Sequence, residues 1–261
     1  MRKTFLAIGF AAAIAVLAVA GDVTVQYLGH SCFTIQQEAG EVIMIDPYGS
    51  LVAYPGLPKA ADIVLVTHDH IDHNPWEYGE TGRVLGDPII VHLLDGSGRC
   101  REKRLPGSWV ITPTFSTQAI EGNHVTLSGG GQGYVCMFSF EVDGIRFAHL
   151  GDLGRPLDAS QIEGLADVDV LFVPVGGAFT LDAAEALEVI RQLPTVRIAI
   201  PMHYFVQGRT PDFWGEMASI DAFLDVVEDE LVVRRMGESR VAIRAETLPE
   251  TPEVWVLPYE E

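Results

Sequence analysis

A dense group of histidines and aspartates directly follows an apolar run, and it is the part of the sequence best suited to chemistry. His68, His70, Asp72 and His73 fall within six residues, immediately after the strand-like segment 63–66. Side chains at positions i, i+2 and i+4 of an extended backbone project from one face, so His68, His70 and Asp72 can converge. Imidazoles and carboxylates bind metals, and paired ions about 3.5–4 Å apart activate water in many hydrolases. The segment therefore predicts a dinuclear metal site at the end of a strand.

This segment and several later motifs resemble one family. His68-x-His70-x-Asp72-His73 is similar to the signature of the metallo-β-lactamase fold, which many hydrolases share. Further motifs resemble the branch that holds uncharacterised metal-dependent hydrolases, ascorbate-phosphate lactonases and the phospholipase D that cleaves N-acyl-phosphatidylethanolamine. Those motifs occupy residues 27–31, 151–152, 174–177 and 200–204. The resemblance implies an α/β fold (α+β in some schemes), a four-layer αββα sandwich, in a single hydrolase domain over residues 21–261.

The resemblance also implies which side chains hold the ions. It implies one divalent ion on His68, His70 and His124, a second on Asp72, His73 and His203, and Asp152 as the bridge between them. Zinc is the expected metal because most of these ligands are imidazoles, with Mn²⁺ and Fe²⁺ as alternatives. Asp72 is also expected to be catalytic, by orienting the nucleophilic hydroxide and returning a proton to the leaving group.

The sequence departs from the family pattern beside two of these ligands. Val125 follows His124, where related sequences commonly have Ser or Asp. Leu153 replaces the Thr of the usual Gly-Asp-Thr-Gly motif, which removes a hydroxyl that could orient Asp152. Asp152 and His203 nevertheless both follow apolar strand-like runs, at the strand ends where α/β sites collect.

Four other side chains are weaker candidates. His30 lies in a Gly-His-Ser turn and is predicted either to orient a metal ligand or to be structural. Arg155, three residues after Asp152, is predicted to contact an anionic substrate group or to form a surface ion pair. His92 and His149 are predicted to be ordinary strand histidines.

Hydrophobic patterning predicts mainly strands before residue 130, and alternating helices and strands after it. The elements predicted around the candidate ligands are strands 63–66, 145–149, 170–175 and 196–200 and helices 159–165, 181–193 and 217–227. The candidate ligands are therefore expected at the ends of strands.

The connecting segments carry local signals of their own. Thr180 is the predicted N-cap of the helix that follows it. Residues 128–133, which are rich in glycine, are predicted to form a loop. Segments 231–234 and 240–244 are predicted to pair as a closing hairpin, and residues 246–261, with three prolines, to form a loosely packed tail.

Composition and charge indicate a globular protein that does not bind nucleic acid. The 261 residues are 48% hydrophobic, and the formal net charge is −19, which becomes −21 without Arg2 and Lys3. An acidic surface repels the phosphate backbone, so neither a nucleic-acid partner nor a nuclease activity is expected. Cys32, Cys100 and Cys136 allow at most one disulfide and leave one thiol over.

The N-terminus has the pattern of a cleavable secretory signal. A basic start precedes an uncharged apolar run, residues 5–19, and a small-x-small site at residues 18–20. We therefore predict a signal peptide over residues 1–20 and an exported protein, periplasmic or secreted, with no stable membrane span after cleavage. The alternative is a retained N-terminal membrane anchor, because residues 4–20 lie at the lower length limit for crossing a bilayer.

Together these features predict a metal-dependent hydrolase acting on an ester, lactone, amide or phosphoester of a small molecule or lipid. An exported β-lactamase is one alternative, but the implied bridging Asp152 argues against it, because true metallo-β-lactamases lack that bridge. A noncatalytic metal-binding accessory protein is another, against which the complete ligand set argues. Loops 47–59 and 128–133, where specificity is expected, carry no readable pattern.

Overall fold

A computed structural model describes residues 21–37, 40–102, 108–125 and 132–261. The predicted signal peptide lies outside these residues, as do residues 128–131 of the predicted glycine-rich loop. Gln132 and Gly133, the remaining residues of that loop, belong to a long strand, so the predicted loop extended too far toward the C-terminus. Within the described part of the chain, no helix has the length and apolar character needed to cross a membrane.

The chain forms sixteen strands and three α-helices within the described residues, together with short 3₁₀ turns. The first eight strands are β1 (Val23–Gly29), β2 (Cys32–Gln37), β3 (Val42–Ile45), β4 (Lys59–Ala60), β5 (Ile63–Val66), β6 (Val84–Leu85), β7 (Ile89–His92) and β8 (Trp109–Val110). The later elements are β9 (Ser116–Val125), β10 (Gln132–Val142), β11 (Ile145–His149), α1 (Ala159–Gly164), β12 (Val170–Pro174), α2 (Ala183–Gln192), β13 (Ile198–Met202), α3 (Ile220–Val227), β14 (Val232–Arg235), β15 (Arg240–Ile243) and β16 (Glu253–Val256).

These strands form two large sheets, and β4 pairs with β6 in a small third one. The first sheet has the order β15-β1-β2-β3-β5-β7, and the second has the order β14-β16-β13-β12-β11-β10-β9-β8. Strands β3, β5 and β7 run parallel in the first sheet, as β11, β12 and β13 do in the second. The result is a mixed α/β sandwich of the expected class.

Side-chain alternation explains how the first sheet is buried on both faces. In β5, Ile63 contributes to a core that contains residues of both sheets, whereas Val64 packs into a second cluster. This is the two-residue period of a strand. In the shared core the rings of Phe33 from β2 and Phe172 from β12 lie 4.3 Å apart between centroids. The two sheets therefore pack face to face.

Helix α2 begins two residues later than its predicted N-cap implied. Asp182, not Thr180, is the N-cap, because its carboxylate accepts the backbone N–H of Glu185 at 2.9 Å. The Glu185 carboxylate in turn accepts the N–H of Asp182 at 3.0 Å. This reciprocal pair is a capping box. The Thr180 hydroxyl instead donates to backbone carbonyls of its own turn, those of Gly177 and Leu181.

The C-terminal segment was predicted wrongly in two respects. Strands β14 and β15 do not form a hairpin, since β14 pairs with β16 in the second sheet and β15 pairs with β1 in the first. Residues 246–261 are not a loose tail, because β16 lies between β13 and β14 and its Val254 is fully buried. Both errors arose because long-range pairing decides the position of these short strands.

A ten-residue strand, β9, was missed by the sequence prediction. It pairs antiparallel with β10 over a continuous register, from Val125 opposite Gln132 to Thr117 opposite Phe140. Polar residues and Gly122 interrupt its hydrophobic pattern, so this segment has no clear strand signal. The strand matters because it carries His124.

The three cysteines form one disulfide and leave one buried thiol, the arrangement that their number allowed. Cys100 and Cys136 are joined, with their Cα atoms 5.2 Å apart, and Cys32 is free and buried. The bond links the segment after β7 to β10. Cys136 also donates its backbone N–H to the carbonyl of Thr67 at 2.9 Å. The disulfide therefore lies next to the start of the histidine run.

Candidate metal centre

The predicted ligands come from segments that follow parallel strands in both sheets. The run from His68 to His73 follows β5, Asp152 follows β11, and His203 follows β13. His124 is supplied by β9, and the carbonyl of its neighbour Asn123 accepts the N–H of Gly154 at 2.8 Å. Carboxyl ends of parallel strands meet at one edge, which is where α/β proteins place their sites.

The side chains form two groups, and within each group the possible ligand atoms lie within 4.8 Å of one another. One group contains His68, His70, His124 and Asp152, and the other contains His30, Asp72, His73 and His203. All seven side chains predicted as ligands are thus brought together, and His30 joins them. Of the eight, only His70 is exposed, so the cluster reaches solvent at that residue.

Asp152 lies between the two groups. Its Oδ2 atom is 3.5 Å from Nε2 of both His68 and His124, and 3.3 Å from Nε2 of His203. Its Oδ1 atom is 3.2 Å from Nε2 of His73. One carboxylate therefore faces imidazoles of both groups.

Several buried polar atoms of this cluster have no hydrogen-bond partner among the described residues. They include Nε2 of His73, Nε2 of His124 and Oδ1 of Asp152. Each unpaired buried polar group costs about 1–3 kcal/mol, so the arrangement is unfavourable unless something else satisfies these atoms. Converging imidazole nitrogens and carboxylate oxygens are the donor set that divalent transition metals prefer. The residues present therefore fit metal ions.

A buried aspartate that sequence analysis missed, Asp46, orients one histidine of each group. Its Oδ2 accepts a hydrogen bond from Nδ1 of His73 at 2.9 Å. The same oxygen accepts the Thr67 hydroxyl at 2.7 Å, and that hydroxyl lies 3.0 Å from Nδ1 of His68. An ionised carboxylate cannot donate, so Nδ1 of His73 carries a proton, and its Nε2 faces Asp152. Asp46 directly follows β3, the parallel neighbour of β5, and that position was the signal that could have identified it.

The backbone is strained at the points where it aims these side chains. The φ angle is 56° at His30, 46° at Asp46 and 51° at His203. A left-handed conformation is unfavourable for residues with a side chain and persists only where the surroundings impose it. Gly176 contributes to this crowding, because a Cβ there would lie 2.1 Å from the carbonyl oxygen of His203.

His30 is fully buried and contacts the second group directly. Its Nε2 donates to Oδ2 of Asp72 at 2.9 Å, and its ring centroid lies 4.2 Å from that of His203. A contact of this kind orients a ligand when Asp72 binds an ion. The distance of His30 to the other members would also allow it to act as a ligand.

Two other candidates belong to neither group. Arg155 is exposed, in contrast to the buried Asp152 that precedes it. His92 is the last residue of β7, and its Nε2 lies 2.8 Å from Oδ1 of Asp69. The structure therefore brings neither Arg155 nor His92 into the metal-binding cluster.

Burial and mutual charge shift the pKa values of the cluster in the protein without bound ions. Burial, with a further contribution from His73, lowers the pKa of His68 to about 3. Burial, together with His203, lowers the pKa of His30 to about 4. Burial opposes ionisation of Asp152, but the surrounding imidazoles outweigh it and hold its pKa well below the ordinary value. Burial likewise disfavours protonation of His73, but the neighbouring carboxylates, Asp152 foremost, raise its pKa well above the ordinary value.

Comparisons with known sequences identify the family to which this chain belongs. The sequence profile of the β-lactamase superfamily domain matches residues 24–203. A UPF0173 metal-dependent hydrolase of Methanospirillum hungatei is 30% identical over 185 residues, which cover 69% of this chain and 82% of the relative. A UPF0173 metal-dependent hydrolase of Myxococcus xanthus is 31% identical over 240 residues, which cover 82% of this chain and 83% of the relative.

Comparison with solved structures finds proteins of the same fold. A candidate Zn-dependent hydrolase of the metallo-β-lactamase superfamily from Thermotoga maritima has 26% sequence identity and a TM-score of 0.66, over 91% of this chain and 100% of that one. Igni18, a metallo hydrolase of Ignicoccus hospitalis, shares the fold with a TM-score of 0.57 at 21% identity, over 92% of this chain and 97% of that one. This chain is therefore a metal-dependent hydrolase that belongs to the metallo-β-lactamase superfamily, together with the UPF0173 proteins.

Proposed function

We propose that this protein is an exported hydrolase that uses two divalent metal ions to cleave an ester, lactone, amide or phosphoester of a small molecule or lipid. The observation that supports two ions rather than one is the position of Asp152. Its carboxylate faces imidazoles of both groups, with Oδ2 between His68 and His203 and Oδ1 toward His73. A carboxylate in that position suits a bridge between two cations.

The two groups divide the ligands between the ions. In this proposal His68, His70 and His124 would hold one ion, Asp72, His73 and His203 would hold the other, and both ions would share Asp152. Five imidazoles and two carboxylates favour zinc, with manganese and iron as alternatives. Two divalent ions bound there would lower the pKa of water toward 7 and polarise the scissile oxygen.

Asp72 is the residue that we assign to the reaction itself. Burial opposes its ionisation, but His73 and the hydrogen bond from His30 outweigh burial and lower its pKa below the ordinary value. Asp72 is thus a carboxylate at neutral pH, and it can orient the attacking water by accepting a hydrogen bond. Once it has taken up a proton, such a group is a strong acid toward the leaving group.

The exposure of the cluster and the net charge of the protein limit the class of substrate. His70 is the exposed member of the cluster, so the substrate is proposed to approach from its side. The net charge of −21 after residue 20 disfavours nucleic acids, because no excess of cations is available to neutralise their phosphates. Arg155 remains a proposed contact for a single anionic group near the cluster.

Two independent features support export. Residues 1–20 have the basic, apolar and small-residue pattern of a signal peptide. The disulfide between Cys100 and Cys136 suits an oxidising compartment, because most cytosolic proteins keep their thiols reduced. We therefore propose a periplasmic or secreted protein with no membrane span after removal of residues 1–20.

Metal analysis of the purified protein, followed by turnover assays on ester, lactone, phosphodiester and β-lactam panels, tests this function. We expect two ions per chain, and turnover that a chelator abolishes and added metal restores. Asp152→Asn should retain at most one ion, whereas Asp167→Asn, which changes a surface carboxylate paired with Arg146, should retain both. A wild-type protein without metal would contradict the proposal. Full occupancy without turnover would favour an accessory protein, and turnover of β-lactams alone would favour a β-lactamase.

A further inference from the structure

His149 is fully buried at the end of β11, among the aromatic side chains between the two sheets. Its ring lies 6.1 Å from that of Phe33 in the first sheet and 5.8 Å from that of Phe172 in the second. Burying an imidazole among such rings is unfavourable unless both nitrogens find hydrogen-bond partners. An apolar residue would fill this position at lower cost, so the hydrogen bonds of His149 need an explanation.

Both ring nitrogens are satisfied by backbone groups, one in the turn between β1 and β2 of the first sheet and one directly after β11 of the second. Nε2 lies 2.9 Å from the carbonyl oxygen of Ser31, 118 positions earlier in the chain. Nδ1 lies 3.1 Å from the backbone nitrogen of Gly151. A carbonyl only accepts and an amide N–H only donates, so Nε2 carries the proton and Nδ1 accepts. A single neutral tautomer of His149 therefore connects the two segments.

The segment at Gly151 leads directly into Asp152. Gly151 has a φ of 54°, and a Cβ there would lie 2.8 Å from Oγ1 of Thr67. Thr67 therefore leaves no space for a side chain at Gly151, and His149 accepts the backbone N–H of Gly151. Both constraints act on the residue that directly precedes Asp152.

The segment at Ser31 leads back to His30, which contacts the second group in two ways. The carbonyl of His30 accepts the backbone N–H of His203 at 2.9 Å, and its side chain donates to Asp72 at 2.9 Å. A shift of the Ser31 carbonyl would therefore change the positions of both residues. His149 thus contacts the support of Asp152 and the support of the Asp72 and His203 side chains.

We propose that His149 is a positioning residue that sets the separation of Asp152 from the group formed by Asp72, His73 and His203. The inference rests on the proposed function, because it treats these side chains as ligands of two ions. His149 touches none of the reacting atoms in this account. It acts through Gly151 and Ser31, and its effect falls on metal affinity and ligand geometry.

Zinc affinity and the cobalt spectrum of His149 variants test this role. His149→Phe fills the space but removes both hydrogen bonds, and it should weaken Zn²⁺ binding by about 10–100-fold, as removal of other ligand supports does. His149→Gln offers one acceptor and one donor on a long side chain and should restore most of the affinity. His149→Asn is one methylene shorter, cannot reach both partners, and should remain weak.

Phe147→Leu is the matched control, because Phe147 is a buried residue of the same strand with no part in these hydrogen bonds. It should lower the midpoint of thermal unfolding and leave Zn²⁺ affinity and the visible absorption of the Co²⁺ form unchanged. The Phe and Asn variants at position 149 should change that absorption, because it reports ligand geometry.

Two results would overturn the inference while leaving the proposed function intact. One is wild-type Zn²⁺ affinity and an unchanged Co²⁺ spectrum in both the Phe and the Asn variant of His149. The other is an equal loss of affinity in Phe147→Leu at the same loss of thermal stability. If His149→Phe does not fold, an equal affinity of the Gln and Asn variants overturns it as well. A wild-type protein that binds neither Zn²⁺ nor Co²⁺ would instead overturn the proposed function itself.

Discussion

Nδ1 of His73 lies 2.9 Å from Oδ2 of Asp46, a carboxylate with no exposed surface. The other oxygen of Asp46 accepts the backbone N–H of Thr67 at 2.8 Å, directly before the histidine run. Asp46 therefore fixes both the ring of His73 and the start of the segment that carries His68. The imidazoles of this protein are oriented by the fold rather than by a bound ion alone.

Replacing Asp46 with Asn should lower Zn²⁺ affinity by about 10–100-fold. The amide keeps the size of the side chain, but its NH₂ group would face N–H and O–H donors of His73 and Thr67, which leaves at least one of them unpaired. Competition with a chromophoric chelator measures the affinity. Asp62→Asn is the control, since Asp62 also accepts a backbone N–H, that of Val42 at 2.8 Å, but is exposed. Equal affinities of the two variants would contradict the role of Asp46.

The protein without metal should be most stable near pH 6.5. The ordinary pKa of a histidine is 6.5, and the folded protein lowers it to about 4 at His30 and about 3 at His68. Between pH 6.5 and 5 these histidines take up protons in the unfolded chain but stay neutral in the folded chain. Each of them therefore lowers the free energy of unfolding by about 2 kcal/mol over this range. The raised pKa of His73 acts in the opposite direction: its stabilisation is complete below pH 6.5 and is lost as the pH rises through the folded pKa.

Denaturant unfolding at pH 5, 6.5 and 8 in the presence of a chelator measures this dependence. His68→Asn should remove the contribution of His68, about half of the acid-side loss that the two histidines cause. The same stability at pH 5 and pH 6.5 in the chelated wild-type protein would show that these imidazoles are not held neutral.

Gly176→Ala should destabilise the fold and weaken metal binding together. The new Cβ would lie 2.1 Å from the carbonyl oxygen of His203, and overpacking against backbone costs about 1–3 kcal/mol. The His203 segment must move to relieve the clash, so its imidazole should be displaced. Gly82→Ala provides the control, because no heavy atom lies within 4 Å of its new Cβ. Urea unfolding and zinc titration of both variants measure the two effects, and wild-type zinc affinity in the Gly176 variant would count against this explanation.

Removing the disulfide with a Cys100→Ser, Cys136→Ser double variant should cost about 2–4 kcal/mol of unfolding free energy, because the bond closes a 36-residue separation. Reductant should lower the stability of the wild-type protein by a similar amount and have no effect on the double variant. Cys32→Ala keeps the bond and should stay sensitive to reductant. Urea unfolding with and without dithiothreitol distinguishes these outcomes. The same free energy of unfolding of the wild-type protein in both conditions would rule out a stabilising bond.

The fold class and the cluster around His68 could be predicted from sequence because their signals are local or ordered along the chain. The histidine run follows an apolar strand, and the motifs at Asp152 and His203 occur in the family's order. The structure brings these segments together at the ends of β5, β11 and β13. Ligand motifs that follow strands in the family's order therefore indicate from a single sequence where the site lies.

Other features had no local signal. Asp46 follows β3 as a single acidic residue, and only the three-dimensional contact with His73 reveals its role. The two hydrogen bonds of His149 join residues 118 positions apart in one case, which no spacing rule detects. Strand β16 is short and follows prolines, and its place depends on pairing with β13 and β14.

The position of β16 has a consequence for how the molecule is completed. Strand β16 occupies an interior place in the second sheet, between β13 and β14, and β14 has no other neighbour in that sheet among the described residues. A polypeptide that emerges gradually, from a ribosome or through a translocation channel, cannot finish this sheet until residue 256 has been delivered. A premature stop before residue 253 would therefore delete an internal strand and remove the one neighbour that β14 has among the described strands.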